Sequence, residues 1–362
     1  MKKICIITGG MGFIGTHLID EIKSQYETII VVDNLSPLVH GTSSISPNSN
    51  IHLVVGNVQD ESTWDAVSKV MPPVDYSLTV FHLAANTSTG NSLNSPTAHV
   101  STNILGTAAL CEFLINHIEN IRRIILTSTR AVYGEGLWTT SEGSIVNPES
   151  RQVEDLEKRI WNPKYLDEYC LSPYPVSATK VNASPVNIYG TTKYSQESIL
   201  KIWCEAFKVE LRIFRLQNVY GPGQSLWNSY SGVISLFTKN ALTDQPIEVY
   251  EGGGIIRDLV YVKDIAKVLA TEIELPDRSS VVDVGSGTPT TLYEVASIIA
   301  KSCSVEVPVI SNKFRVGDVR GIYANPSEIL SLEIFPAFTS LEVGISELLD
   351  WAKVEIKSGS VK

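Results

Sequence analysis

Positive charge is scarce in this chain. Its 362 residues carry 29 Lys and Arg against 39 Asp and Glu, a formal charge of −10, whereas a nucleic-acid binder presents a basic face. Nucleic acid is therefore excluded as a partner, and an anionic ligand would have to be held by a few placed arginines against the overall field. Paired cysteines are missing too. Cys5, Cys111, Cys170, Cys204 and Cys303 form no CxxC, which excludes a zinc knuckle or a disulfide framework and fits a reducing compartment. The six histidines fall in no ligating or nucleophilic arrangement, so no metal is expected. Long hydrophobic runs are absent: after MKK the apolar stretch ends within four or five residues at glycines. It reads as a buried strand and not as a leader, and nothing is expected to reach membrane-spanning length. There is no internal repeat, low-complexity tract or acidic tail. The expectation is a soluble, cytoplasmic protein with no membrane partner.

What is present is a globular composition, 43% hydrophobic and 19% charged, long enough to fold as two lobes. Short apolar runs at 4–8 (ICIIT), 28–33 (TIIVVD), 52–56, 79–85 and 123–128 alternate with helical stretches such as 14–23 and 97–116. Strands without period-two alternation, separated by helices, predict an α/β fold: a doubly wound parallel sheet covered on both faces. Residues 137–186 break this rhythm. They are rich in Pro, Trp, Tyr and charge and show no clean period, so they read as an insertion outside the core, either a lid or a surface excursion.

Three motifs carry chemistry. In TGGMGFIGTH (8–17), Gly9, Gly10, Gly12 and Gly15 satisfy both G-x-G-x-x-G and G-x-x-G-x-x-G. Such glycines let backbone N–H groups approach a pyrophosphate at a helix N-terminus. The motif follows an apolar strand, opens a helix, and is followed by Asp33 at the end of the next strand, 24 residues after Gly9. That context predicts a dinucleotide site. A carboxylate at Asp33 would accept from ribose hydroxyls and repel a 2′-phosphate, and no Arg follows it, so the cofactor is NAD and not NADP. The second motif, TSTRAVYG (127–134), ends another strand, where Ser128 and Thr129 would face a ligand. The third, NIYGTTK (187–193), puts Tyr189 four residues ahead of Lys193, on one helix face.

GGMGFIG, HLAA (82–85), STRAVYG, YGTTK, RLQNVYGPGQ (215–224) and RDLVYVKD (257–264) occur in the order seen in extended short-chain dehydrogenases that act on nucleotide sugars. The chain resembles that superfamily from residue 3 to about 330. STRAVYGEG and RLQNVYGPGQSLWNSYSGV are most similar to its dTDP-L-rhamnose 4-epimerase group, related to UDP-glucose 4-epimerases. The resemblance implies a Rossmann NAD lobe over 1–214, with the insertion at 137–186 and part of 255–285, and a smaller, mostly C-terminal α/β lobe over 215–254 and 286–362 for the nucleotide sugar. It implies a homodimer joined through a four-helix bundle built from the helix of Tyr189 and Lys193 and that around 97–116.

It also implies residue roles. Gly9, Gly12, Phe13, Ile14 and Gly15 would hold the cofactor's phosphates and Asp33 and Asn34 its ribose. Asn57 and Val58 would lie at the adenine, and Leu83, Ala84 and Ala85 along the cofactor. Asn57, in GNVQD, stands where the family usually has Asp. Tyr189 would take the proton of the sugar C4 hydroxyl as hydride passes to NAD, with Lys193 lowering the phenol's pKa and holding the nicotinamide ribose. Thr129 would orient the C4 oxygen. A 4-keto sugar would turn over in place and be reduced on its other face. Asn218, Arg257 and Arg315 would hold the diphosphate, with Arg320 a weaker candidate and a salt bridge to Asp258 or Asp318 the plainer reading of these arginines. Tyr250 would pack on the pyrimidine, and Gln224, Arg130 and Ser128 would touch the sugar. The related 4,6-dehydratases carry Asp-Glu where this chain has Arg130 and Ala131, which argues against dehydration. A UDP-hexose 4-epimerase and a nucleotide-4-keto-sugar reductase remain as alternatives, and a catalytically silent nucleotide-binding module would be expected to lose Tyr189 or Lys193. His82 reads as structural, and Cys111 and Cys204 as helix packing.

Overall fold

Uninterrupted β-branched runs form the strands that position everything else. The computed structural model describes residues 1–40, 50–73, 75–87, 89–228, 232–271, 280–331 and 337–358. Residues 229–231 of the long RLQN motif lie outside the described residues. Seven strands, β1 (Lys2–Thr8), β2 (Thr28–Asp33), β3 (Ile51–Val55), β4 (Tyr76–His82), β5 (Ile121–Thr129), β6 (Glu210–Leu216) and β7 (Ser280–Val284), form one sheet in the order β7-β6-β5-β4-β1-β2-β3. Every pairing is parallel. Alternate residues of β1 serve two cores. Ile4 and Ile6 pack with Leu110, Leu114 and Leu200, whereas Cys5 and Ile7 pack with Leu18, Ile22 and Leu269. Burial on both faces is why these strands show no alternation in the sequence. Chain order reverses between β1 and β4, and at such a switch point the carboxyl ends diverge and leave a crevice.

The helices that matter are α1 (Phe13–Ile22), α2 (Pro96–Ile115), α3 (Ile188–Phe207) and α4 (Val262–Thr271). By length and composition alone the 20 residues of α2 would pass as a membrane span, although no stretch of that length was expected. Thr97, Ser101, Thr102 and Asn103 dilute the run and hide it in the sequence. Leu110 and Leu114 are nonetheless fully buried in the first core. Between Val100 and Leu105 the helix opens into a wider turn where Asn103 bonds the backbone of Asn86 on both sides, at 2.7 and 3.1 Å.

Both β7 and α4 return to the sheet from the second half of the chain. The remaining C-terminal residues build a third core in which Phe237, Ile299 and Leu348 pack together. It lies between helices Val233–Leu242, Leu292–Cys303 and Leu341–Lys357 and the strand Ile256–Tyr261.

Residues 137–186 are neither a lid nor an excursion. Leu137–Thr139 pairs antiparallel with Ile145–Val146 and Ser172–Tyr174. Trp138 is buried, and Val176 and Val181 pack on Val132, Tyr133, Val319 and Ile322. Arg151 is the segment's buried charge. It bonds Glu135 at 3.2 Å, Glu251 at 2.7 Å and the Asp318 carbonyl at 2.7 Å. Strands of two or three residues are too short to leave a period, so the sequence conceals this packing. Burial pushes the Glu135 carboxyl up to about 6 against the pull of Arg151. Removing one partner of such a buried cluster strands the others. Arg151→Met should cost about 3 kcal/mol or more, read as an earlier denaturant midpoint in tryptophan fluorescence.

Candidate active site

The glycine turn grows directly out of β1. Gly9 N donates to Val32 O at 2.7 Å, and its φ of +68° together with an ideal Cβ 2.8 Å from Ala84 leaves room for glycine alone. Gly12 caps α1, and a Cβ there would meet only the Gly9 carbonyl, at 3.1 Å. The turn therefore offers a bare backbone surface toward the crevice. Asp33, buried at the end of β2, accepts from Met11 N at 3.0 Å and Leu35 N at 2.9 Å. Asn34 donates to Asn57 Oδ1 at 3.1 Å, and Asn57 donates to Asp60. An exposed N-terminal turn and a fixed carboxylate beyond it are the donor set that a dinucleotide's pyrophosphate and ribose require, so the residues fit NAD.

A cleft of about 1080 Å³ runs from this turn across the carboxyl ends of the sheet to the third core. Phe13, Ile14, Gly15, Asp33, Asn34, Asn57, Val58, Leu83, Ala84 and Ala85 line it beside Gly9 and Gly12. Thr129, Tyr189, Lys193, Ser128, Arg130, Asn218, Gln224, Tyr250, Arg257 and Arg315 line the rest. Arg320 is not among the lining residues; it bonds the Glu251 carbonyl at 3.0 Å.

The Tyr–Lys pair is set by a backbone contact. Asn187 caps α3, accepting from Gly190 N at 2.8 Å. A Cβ on Gly190 would lie 2.5 Å from Ala131 O, so glycine lets α3 touch the turn that follows β5. That contact sets Tyr189 beside Thr129 on the cleft wall, where Thr129 Oγ1 accepts from Ala131 N at 3.2 Å. Burial raises the Tyr189 phenol above its ordinary value, opposed by the Thr129 hydroxyl and the Arg130 charge. The Lys193 ammonium donates to Gln196, and burial pushes it down to about 7 against the pull of Glu197.

Other side chains are less free than expected. Ser128 donates to Glu197 at 2.6 Å, so its proton does not serve Tyr189. Arg257 pairs with Asp318 at 2.7 Å, the plainer of its two readings, while still facing the cleft. Asn218 Oδ1 accepts from Arg130 Nε at 2.6 Å, which turns its amide donor away from Arg130. Gln224 accepts from Ser235 at 2.7 Å. Arg315 stands over the Tyr250 ring, 5.7 Å from its centre. Sequence reading missed Glu251 and Asp318, both in the lining. The signal for Glu251 was its place next to Tyr250, and Asp318 figures there only as an ion-pair partner of the arginines. His82 is fully buried between Thr8 and Thr107, and Cys111 and Cys204 pack in the first core.

A glycine turn, a strand-end carboxylate and a Tyr–Lys helix around a switch-point cleft define the class of dinucleotide-dependent short-chain oxidoreductases. The chain belongs to the NAD dependent epimerase/dehydratase family, whose model matches residues 5–152 and 172–285, and NAD is its cofactor. The stretch left out, 153–171, lies within the insertion. The chain is 38% identical to a dTDP-L-rhamnose 4-epimerase of Burkholderia thailandensis, over 98% of this chain and 96% of that one. It is 28% identical to a putative UDP-glucose 4-epimerase of Methanocaldococcus jannaschii, over 96% and 98%. The crystal structure of a Thermotoga maritima UDP-glucose 4-epimerase with UDP-glucose superposes with a TM-score of 0.78 at 25% identity, covering 98% of this chain and 99% of that one.

Two outcomes follow from the geometry. Gly190→Ala forces α3 off the β5 turn and should abolish turnover in a protein that still folds, checked by activity alongside circular dichroism. His82 stays neutral because burial, then Lys193, lowers it to about 3. The unfolded imidazole takes its proton near 6.5, so the unfolded state binds more protons between these values and stability falls as pH drops through that window. In His82→Asn the stability difference between about pH 7 and about pH 4.5 should shrink, measured by denaturant unfolding.

Proposed function

We propose that this protein interconverts the two C4 epimers of a nucleotide-diphosphate sugar through a transient 4-keto intermediate, with no net use of cofactor. Residues 1–214 with part of 255–285 form the NAD lobe, and 215–254 with 286–362 hold the nucleotide sugar. The observation that carries the reading is that Thr129, Tyr189 and Lys193 line one cleft, with no carboxylate next to Thr129 in the chain. NAD, when bound, supplies the acceptor that takes hydrogen from C4 and gives it back.

Tyr189 takes the C4 hydroxyl proton and later returns one, Thr129 holds the C4 oxygen against the phenol, and the Arg130 charge offsets the burial that opposes ionisation. Asn218, Arg257 and Arg315 bind the diphosphate while the ring turns over, and Tyr250 stacks on the pyrimidine. Elimination of water would need a carboxyl acid and base near Thr129. Arg130 and Ala131 stand there, and Glu135 spends its oxygens on Arg151 and Arg320 N. A reductase reading is disfavoured by the fixed carboxylate of Asp33, which opposes the 2′-phosphate of NADPH.

A dTDP-6-deoxyhexose such as dTDP-L-rhamnose is the favoured substrate, supported by the relative at 38% identity. A UDP-hexose is the second reading, supported by the UDP-glucose complex of similar fold. The protein works in the cytoplasm as a homodimer. Val100, Leu105 and Ile115 on α2 and Ile202 and Phe207 on α3 are 41–73% exposed and would be covered by the same helices of a second copy. The test is incubation with dTDP- and UDP-sugars without added cofactor, reading C4 configuration by proton NMR. Inversion to a fixed mixture is expected, lowered by at least about 10²-fold in Tyr189→Phe. Stoichiometric oxidation of reduced nicotinamide by a 4-keto sugar, without inversion, would overturn the reading.

A further inference from the structure

Lys193 is placed by a side chain, Gln196, that no quoted motif includes. Its ammonium, 2% exposed, donates to Gln196 Oε1. Gln196 is fully buried and ends a chain of polar groups that crosses from α3 to the sheet. Gln196 Nε2 lies 2.8 Å from Thr107 Oγ1, which lies 2.9 Å from His82 Nε2. His82 Nδ1 lies 2.7 Å from Thr8 Oγ1, at the start of the glycine turn.

Each proton in the chain has one consistent place. The Thr107 hydroxyl donates to the Asn103 carbonyl at 2.6 Å, so toward Gln196 and His82 it can only accept. His82 therefore carries its hydrogen on Nε2 and accepts at Nδ1 from Thr8. Thr8 Oγ1 in turn accepts from Ala84 N at 3.2 Å. The opposite tautomer would leave the Thr8 proton without an acceptor. The 3.1 Å approach of Gln196 Nε2 to His82 Nε2 is then a contact between two donors that share Thr107. With the amide nitrogen committed to Thr107, it is the amide oxygen that faces Lys193. The carboxylate next in sequence points elsewhere: Glu197 bonds Arg215 at 2.8 and 3.0 Å and Ser128 at 2.6 Å.

We propose that Gln196 is a positioning residue for Lys193. Through Thr107 and His82 it fixes the ammonium with a neutral acceptor, leaving the other two N–H donors for the cleft. An amide orients the ammonium without neutralising it, whereas a carboxylate in its place would form an ion pair and weaken the field at Tyr189. The inference rests on the reading of Lys193 as catalytic, and it concerns Gln196 alone.

The test compares wild type, Gln196→Met, Gln196→Glu and Lys193→Met as holoenzymes. Gln196→Met removes the acceptor at similar volume, and should lower kcat by about 10-fold or more at every pH with KM for the nucleotide sugar within twofold. Gln196→Glu restores an acceptor and adds a charge. It should recover kcat at high pH while the acid limb of the rate profile moves up. A readout that needs no turnover is the absorbance titration of the tyrosinate that Tyr189→Phe removes, which should also move to higher pH in Gln196→Glu. Profiles and titrations that coincide with wild type, or activity lost only in proportion to the thermal midpoint, would overturn the role of Gln196. Full activity in Lys193→Met would instead overturn the catalytic reading on which it rests.

Discussion

The approach of helix Ile188–Phe207 to the turn after Thr129 is the constraint on which the catalytic arrangement depends. At Gly190 the helix backbone comes so near Ala131 O that a methyl group would lie 2.5 Å from it. Everything around this contact follows from two rigid elements meeting at closest range. Asn187 starts the helix one residue before it, and Tyr189 leaves it toward Thr129. One turn later Lys193 enters the buried polar chain that ends at Thr8. Rigid placement matters because proton transfer requires heavy atoms within hydrogen-bond reach of the reacting group.

Electrostatics then divide the cleft into unlike regions. At the cofactor end the anchors are a bare helix N-terminus and one carboxylate. At the substrate end Arg130, Arg257 and Arg315 supply positive charge in a molecule that is acidic overall. Arg257 is offset by Asp318. Arg130 bonds the neutral Asn218, and burial, then Arg257, lower it to about 9. A buried cation beside the phenol favours phenolate without neutralising it.

Much of this could be read from the chain before any coordinates. Strand Thr28–Asp33 has the limits its apolar run suggests, and residues from six separated motifs line one cleft because a parallel sheet delivers its carboxyl ends to one side. What stayed hidden depends on contacts between residues far apart in sequence. That Ser128 serves Glu197, 69 positions away, is settled by which hydroxyl faces α3, and adjacency to Thr129 says nothing about it. The Lys193 acceptor is three residues on in a helix, yet choosing Gln196 over Glu197 needs the positions of Thr107 and Arg215. The packing of 137–186 was illegible because its strands are too short to show a period and one of its buried anchors, Arg151, is a charge.

Arg151 gives that segment an unusual division of labour. Its two ends are tied down, one by the guanidinium among Glu135, Glu251 and the Asp318 carbonyl, the other by Val176 and Val181 in a small apolar cluster. The hairpin of Lys164–Tyr165 with Glu168–Tyr169, between these anchors, is held by neighbours within the same segment. Lys164 O accepts from Glu149 N at 2.8 Å, Lys164 pairs with Asp155 at 2.9 Å and Tyr169 donates to Asp155 at 3.2 Å. The family match skips 153–171 there. A segment fixed at both ends with a self-contained middle is a natural graft point. Evolution, or an engineer, could replace the hairpin with a longer module and leave the cleft on the far side of the arginine untouched.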